Sequence, residues 1–108
     1  MPDFVTVAKV KDIPPGKIKA FEVNGEMVAI ANLNGTLYAV SDTCTHMNVS
    51  LADGDIEGDN IMCPWHASLF NLKTGAVVRT PANGPLKTYR VVVEGGMIKV
   101  STEADKPA

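Results

Sequence analysis

The sequence has few of the residues that most often carry chemistry, with two cysteines, two histidines and one tryptophan among 108 residues. Ten basic residues stand against twelve acidic ones, and the basic residues form no patch of the kind that binds nucleic acid. The longest apolar runs, such as Val91-Val92-Val93, are far too short to span a bilayer. We therefore expect neither a nucleic-acid partner nor a membrane partner.

A sustained 3.6-residue apolar period is also missing, which predicts an all-β protein with little helix. Asn24-Gly25 and Asn34-Gly35 suit tight hairpin turns, and Gly95-Gly96 turns the last two strands. Pro14-Pro15-Gly16 ends the first strand. The expected strands cover residues 4–10, 18–23, 27–32, 36–40, 60–63, 68–73, 86–94 and 97–101.

The length and composition are those of one globular domain spanning residues 1–108, with 45% apolar and 20% charged residues. Residues 102–108 are polar with a late proline, so we expect a disordered tail. The opening Met1-Pro2-Asp3-Phe4 is not a charged, apolar leader, which favours a cytoplasmic protein.

All the cysteines and histidines fall in two short segments, Cys44-Thr45-His46 and Cys63-Pro64-Trp65-His66. Two thiolates and two imidazoles in paired spacings are the ligands of a soft-metal site, because two loops can close around one centre. A structural zinc site uses the same ligands, although zinc fingers usually place their two cysteines together. A disulfide would need an oxidising compartment. The residues alone leave these alternatives open.

The pattern Cys-x-His, sixteen residues, Cys-x-x-His resembles the Rieske-type [2Fe-2S] proteins. Cys-Pro-Trp-His-Ala-Ser, followed by Phe70 and Thr74-Gly75, is similar to the second cluster loop of Rieske ferredoxins. Pro81-Ala-Asn-Gly-Pro85-Leu86 resembles the proline-rich loop that covers the cluster. The resemblance implies an antiparallel β-sandwich body and a small cluster-binding lobe of two loops, at about residues 41–86.

The resemblance also implies one [2Fe-2S] cluster, with Cys44 and Cys63 on one iron and His46 and His66 on the other. Such a cluster has a closed coordination shell, so the implied function is one-electron transfer rather than catalysis. A complete oxygenase would need two further histidines and a carboxylate for its mononuclear iron. Both histidines of this chain are already assigned.

Five further residues are expected around the cluster. Ser68 matches a serine whose hydroxyl bonds a sulfide in the high-potential branch of the family, and Phe70 stands where that branch has a tyrosine hydroxyl. Trp65 is either a lid or a docking surface, Met47 forms either a partner-facing rim or simple packing, and Pro81 belongs to the covering loop.

The branch with high potentials also has an extra cysteine on each loop, at the positions of Val49 and Trp65 here. No such disulfide can form. Fewer hydrogen-bond donors stabilise less negative charge, so we expect a reduction potential of roughly −150 to −50 mV, at the low end of the Rieske range.

The partners implied are a flavin-dependent ferredoxin reductase and the terminal oxygenase of an aromatic-ring-hydroxylating system, with the free chain a monomer. An alternative is a Rieske-like small subunit held in a larger reductase, such as an assimilatory nitrite reductase. A zinc-stabilised interaction module remains the alternative from another class, and it would be colourless.

Overall fold

The structure is a computed structural model that describes residues 3–43, 49–64, 68–79 and 86–106. Strands dominate these ranges, and the only helical elements in them are two 3₁₀ turns, Val10–Asp12 and Leu51–Asp53. None of the helices in these ranges is long and apolar enough to cross a membrane. The strands are β1 (Phe4–Lys9), β2 (Ile18–Val23), β3 (Glu26–Leu33), β4 (Thr36–Ser41), β5 (Asp55–Glu57), β6 (Asn60–Met62), β7 (Leu69–Asn71), β8 (Val77–Arg79), β9 (Thr88–Glu94) and β10 (Met97–Lys106).

Six strands form the body, an antiparallel sheet in the order β1-β10-β9-β4-β3-β2. Two of its hairpins turn at the Asn-Gly pairs that the sequence singles out. Asn24 and Asn34 have φ of 50° and 54°, and Gly25 and Gly35 follow with φ of 85° and 97°. Positive φ at both central residues is the requirement of a type I′ turn, so the predicted all-β meander is confirmed.

The other four strands form the lobe sheet, in the order β5-β6-β7-β8. The lobe is an insertion between β4 and β9, which pair directly through Ala39 opposite Tyr89 and Val40 opposite Thr88. At its neck the Ser41 amide donates to the Lys87 carbonyl at 2.9 Å. The two ends of the insertion are therefore joined by backbone hydrogen bonds.

Strand β3 is buried on both faces, which explains its unbroken apolar run. Val28 and Ile30 belong to the core of the body, whereas Ala29 and Ala31 belong to a second core shared with the lobe. Successive strand residues point to opposite faces, so one strand serves both cores. The small alanines face the lobe, which lets the two parts approach closely.

The structure differs from the sequence-based expectation at three elements. Strands β5 and β8 were not predicted, and each has only three residues. Residues 102–106 continue β10 instead of forming the expected disordered tail, and the Thr102 amide donates to the Asp3 carbonyl at 2.8 Å. Backbone pairing with Asp3 at residue 102 and with β9 at residues 104 and 106 thus orders a polar segment. Residues 107 and 108 lie outside the described ranges.

Candidate metal centre

The base of the first loop is closed by backbone pairing. Thr43 and Ser50 form an isolated antiparallel bridge on either side of residues 44–48. Next to this bridge, the Leu51 amide donates to the Asp42 carbonyl at 2.7 Å. The residues on the two sides of the segment that contains Cys44 and His46 are therefore paired with each other.

The second loop is the tip of the β6–β7 hairpin. Its ladder pairs Ile61 with Phe70 and Met62 with Leu69, and the next amide, that of Cys63, donates to the Ser68 carbonyl at 2.8 Å. The strands stay in register up to this pair. Cys63 and Ser68 consequently form the base of a loop whose remaining residues are 64–67.

The segment after the proline-rich stretch is anchored on the β7–β8 turn. The Leu86 amide donates to the Gly75 carbonyl at 2.8 Å, and the Gly75 amide donates to the Asn71 carbonyl at 2.7 Å. Gly75 has a φ of 77°, and a Cβ at this position would collide with the Leu86 carbonyl oxygen. Only glycine meets both requirements here.

One hydrophobic core joins the bases of all three loops. Leu51 follows the first loop, Cys63 begins the second and Leu86 follows the third, and all are buried in the same cluster of side chains. Phe70 is fully buried in that core, where the partly buried Val49 also packs. The described residues that adjoin the three loops therefore share one core, although their sequence positions are far apart.

Two side chains at the base of the second loop fit an iron–sulfur cluster. Cys63 is 1% exposed and Ser68 is 0% exposed. Among the described residues, no hydrogen-bond partner exists for the Ser68 hydroxyl. An unpaired buried hydroxyl costs roughly 1–3 kcal/mol, so a nearby acceptor is expected. A sulfide or a cysteine thiolate is such an acceptor, and Phe70 offers no competing hydroxyl.

The remaining predicted site residues lie outside the described ranges. They are Cys44, His46, Met47, Trp65, His66 and Pro81. The structure thus places Cys63, Ser68 and Phe70 in one buried region and locates the bases of the loops that contain the others.

Sequence reasoning missed one residue at the base of the first loop. Asp42 is 5% exposed, and its carboxylate accepts hydrogen bonds from the Ser50 hydroxyl at 2.9 Å and the Ala52 amide at 3.0 Å. The sequence signal for this residue was its position, since Asp42 is an acidic residue between the predicted strand at residues 36–40 and the segment Cys44-Thr45-His46.

A second polar group lies at the neck of the lobe. The Tyr89 hydroxyl donates to Glu26 Oε2 at 2.9 Å, and Lys87 Nζ lies 3.8 Å from the same oxygen. Burial raises the pKa of Tyr89 to about 12, with further contributions from the hydrogen bond to Glu26 and from its negative charge. Lys87 and Tyr89 lie where the chain returns from the lobe into β9, and Glu26 lies at the start of β3.

The structure has two antiparallel sheets, a six-stranded body and a four-stranded lobe inserted between β4 and β9. Residues 3–90 match the Rieske [2Fe-2S] domain. The chain belongs to this family and carries a [2Fe-2S] cluster.

Similar proteins are ferredoxin components. The 3-phenylpropionate/cinnamic acid dioxygenase ferredoxin subunit of Shigella flexneri serotype 5b (strain 8401) is 39% identical, over 91% of this chain and 92% of that protein. The ferredoxin of carbazole 1,9a-dioxygenase from Nocardioides aromaticivorans IC177 is 33% identical with a TM-score of 0.88, over 93% of this chain and 98% of that one. This chain is accordingly an electron carrier and not a catalytic subunit.

Two further structures bear on the partners. A chain from the complex of reduced oxygenase and oxidized ferredoxin in carbazole 1,9a-dioxygenase is 33% identical with a TM-score of 0.89, over 96% of this chain and 97% of that one. A putative NADH-dependent nitrite reductase small subunit from Mycobacterium tuberculosis has a TM-score of 0.86, over 94% of this chain and 96% of that one. The latter is 19% identical, so it shares the fold alone.

Proposed function

We propose that Cys44 and Cys63 bind one iron of the [2Fe-2S] cluster and that His46 and His66 bind the other. The observation that carries this assignment is the shared core under the loops, which contains both Cys63 and Leu51, the buried residue that follows the first ligand segment. The unpartnered hydroxyl of Ser68 supports it from a second direction. We also propose that residues 1–108 form a single Rieske domain and that the free chain is a monomer.

The cluster would supply a site for one electron, with little change in ligation. The protein contributes a buried, apolar base that excludes water from the Cys63 side, and a hydroxyl donor at Ser68 that stabilises added negative charge. Neutral imidazoles tolerate ferrous iron better than thiolates do. The iron that His46 and His66 would hold is therefore the one that would accept the added electron.

The proposed partners are a flavin-dependent ferredoxin reductase and a terminal ring-hydroxylating oxygenase of aromatic hydrocarbon catabolism. Support comes from the relatives, which are ferredoxin components of dioxygenase systems, one of them in complex with its oxygenase. We place this exchange in the cytoplasm, where thiols are kept reduced and cysteines remain available as ligands.

Ligand substitution tests the proposed site. Serine at Cys44 or Cys63, or alanine at His46 or His66, should abolish the brown colour and leave less than one tenth of the iron and sulfide per chain. Lys73→Ala changes an exposed turn residue and serves as the control. The loaded protein should give a rhombic EPR signal after dithionite reduction, with an average g below that of all-cysteine ferredoxins. Stoichiometric zinc in a colourless protein would contradict the assignment.

Competition tests the shuttle. A reductase and an oxygenase that both dock at the cluster must exclude each other, so saturating oxygenase should inhibit reduction of the carrier by its reductase. Stopped-flow reduction of the cluster, followed by its visible absorbance, measures this inhibition. Undiminished reduction in the presence of bound oxygenase would argue against a single docking face.

The nitrite reductase alternative predicts a permanent complex. Gel filtration of the native protein should show a mass close to 11.5 kDa for a diffusible carrier. Elution with a large reductase subunit, stable to dilution and salt, would favour the alternative instead.

The reduction potential is a further expected outcome of this assignment. In the high-potential branch of the family, a disulfide cysteine stands at the position of Val49 and a tyrosine hydroxyl at that of Phe70. This chain has neither, so voltammetry should give a reduction potential of roughly −150 to −50 mV. A value above about +100 mV would refute this expectation.

A further inference from the structure

Asp42 joins three separate parts of the fold at the base of the first loop. Its amide donates to the Met27 carbonyl at the start of β3 at 3.0 Å, and its carbonyl accepts from the Leu51 amide at 2.7 Å. Its carboxylate oxygen Oδ1 accepts from the Ser50 hydroxyl and from the Ala52 amide. Both ends of the first loop are thus held by one residue.

The carboxylate also caps the short 3₁₀ turn Leu51–Asp53 that follows the first loop. Ser50, the N-cap residue, makes no side-chain hydrogen bond to the turn, and its hydroxyl instead donates to Asp42. The amide of Ala52, which the start of such a turn leaves without an internal partner, donates to the same carboxylate. Asp42 therefore acts as an N-cap from outside the turn.

The charge of this group is shielded from water. Asp42 is 5% exposed, and charges in such positions are screened far less by solvent and salt than surface charges are. The Cα atoms of Asp42 and Cys44 are two residues apart along the chain, so they lie within about 7 Å of each other. A buried negative charge on a residue this near in the chain to the proposed ligand disfavours the addition of an electron.

We propose that Asp42 is a positioning residue for the iron–sulfur centre, whose carboxylate ties together the two flanks of the first loop, residues 42–43 and 50–52, and whose charge lowers the reduction potential of the cluster. This inference rests on the proposed assignment of Cys44 and His46 as ligands. The Asp42 side chain then has two roles, as a hydrogen-bond acceptor and as a negative charge. The substitutions Asp42→Asn and Asp42→Ala distinguish them.

Asp42→Asn keeps an acceptor oxygen for Ser50 and Ala52 and removes the charge. It should retain the cluster, with a loss rate in the presence of an iron chelator within about twofold of the parent protein, and its potential should shift upward. Asp42→Ala removes both hydrogen bonds, so it should lose the cluster at least tenfold faster. Ser50→Ala removes one of the two bonds and should fall between them.

Asp55→Asn is the matched control, because Asp55 is an exposed carboxylate in the same lobe. Its potential should shift upward by less than half of the Asp42→Asn shift. Equal shifts in the two variants, or retention of the cluster by Asp42→Ala at the parental rate, would overturn the inference. If Asp42→Ala does not fold, the chelator rate of Ser50→Ala and the potential of Asp42→Asn decide the question.

Failure of the ligand assignment would look different. In that case the parent protein would contain no iron and sulfide, or would keep them after Cys63→Ser. A loaded parent protein with Asp42 variants of unchanged potential and chelator rate would refute the role of Asp42 alone.

Discussion

Two buried serine hydroxyls differ in whether they have a hydrogen-bond partner, and so in their effect on stability. Ser68 and Ser101 are both buried, at 0% and 1% exposure. The Ser101 hydroxyl donates to the Glu103 carbonyl at 2.9 Å, whereas no partner among the described residues exists for that of Ser68. A hydroxyl kept without such a partner is best explained by an acceptor that arrives with the cluster.

Ser68→Ala should therefore affect the loaded and the cluster-free protein differently. The reduction potential of the loaded protein should fall, because a donor to the cluster is lost. The cluster-free protein should keep its stability or gain slightly, because a buried unpaired hydroxyl is removed.

Ser101→Ala is the matched control for this substitution. It removes a satisfied hydroxyl, so it should destabilise both forms by about 1 kcal/mol and leave the potential unchanged. Voltammetry and denaturant unfolding measure the two quantities. An unchanged potential in Ser68→Ala would mean that its hydroxyl has a partner other than the cluster.

Tyr89 makes the stability of the folded chain sensitive to alkaline pH. Its folded-state pKa of about 12 exceeds the ordinary value of about 10, so the unfolded chain loses the proton first. The stability contributed by Tyr89 is fully present below pH 10 and should decline as the pH rises from 10 to 12. The decline should amount to no more than about 2 kcal/mol, because Glu26 is exposed.

Tyr89→Phe should remove the part of the alkaline loss of stability that comes from Tyr89. The free energies of unfolding of the parent protein and of Tyr89→Phe should therefore differ less at pH 11.5 than at pH 9. Glu26→Gln should reduce the decline only partly, because burial of Tyr89 persists. Urea unfolding at a series of pH values measures the effect. A constant difference between parent and Tyr89→Phe would show that the tyrosine does not titrate anomalously.

At the scale of elements, the β7–β8 turn does more than reverse the chain. Gly75 both adopts a positive φ and lies against the Leu86 backbone, which it binds through a hydrogen bond. The turn therefore anchors Leu86, which lies between the proline-rich stretch and β9. The requirement for glycine at residue 75 comes from this partner eleven residues away.

Gly75→Ala should cost at least about 2 kcal/mol of stability and accelerate loss of the cluster, because the new methyl group displaces Leu86. Gly25→Ala is the control, since Gly25 has a φ of 85° and no atom lies within 4 Å of the position that its new methyl group would take. It should cost about 1 kcal/mol, from backbone strain alone. Thermal or urea unfolding of the two variants measures the difference, and equal costs would contradict the close approach.

At the scale of the whole molecule, body and lobe are joined through β3. The lobe core contains Ala29 and Ala31 from the body together with Ile61, Phe70 and Leu72 from the lobe. The lobe is thus not an independent unit but a layer packed on the outer face of the body sheet.

Ala31→Leu should overfill this interface, with a cost of roughly 1–3 kcal/mol and faster loss of the cluster. Ile30→Val changes the neighbouring residue, which belongs to the body core, and should cost about 1 kcal/mol without altering cluster retention. Iron content after chelator challenge distinguishes the two. Equal retention in both variants would mean that the lobe tolerates displacement from the body.

The antiparallel meander and the family could be predicted from the sequence because both depend on short-range features. Asn-Gly pairs have a strong preference for positive φ that acts within two residues, and alternating apolar residues then set the strand faces. The pattern of proposed ligands is equally local, because each cysteine–histidine pair occurs within three or four residues. Neither inference needed knowledge of distant contacts.

Other features depend on partners that are remote in sequence. The three-residue strands β5 and β8 exist because β6 and β7 offer them hydrogen bonds, and residues 102–106 are ordered by pairing within the body sheet. The clamp at Asp42, the Gly75 anchor and the core beneath the loops likewise require segments brought together by folding. Residue types and short-range spacing therefore determined the chemistry of the site, and long-range packing decided how its loops are held in place.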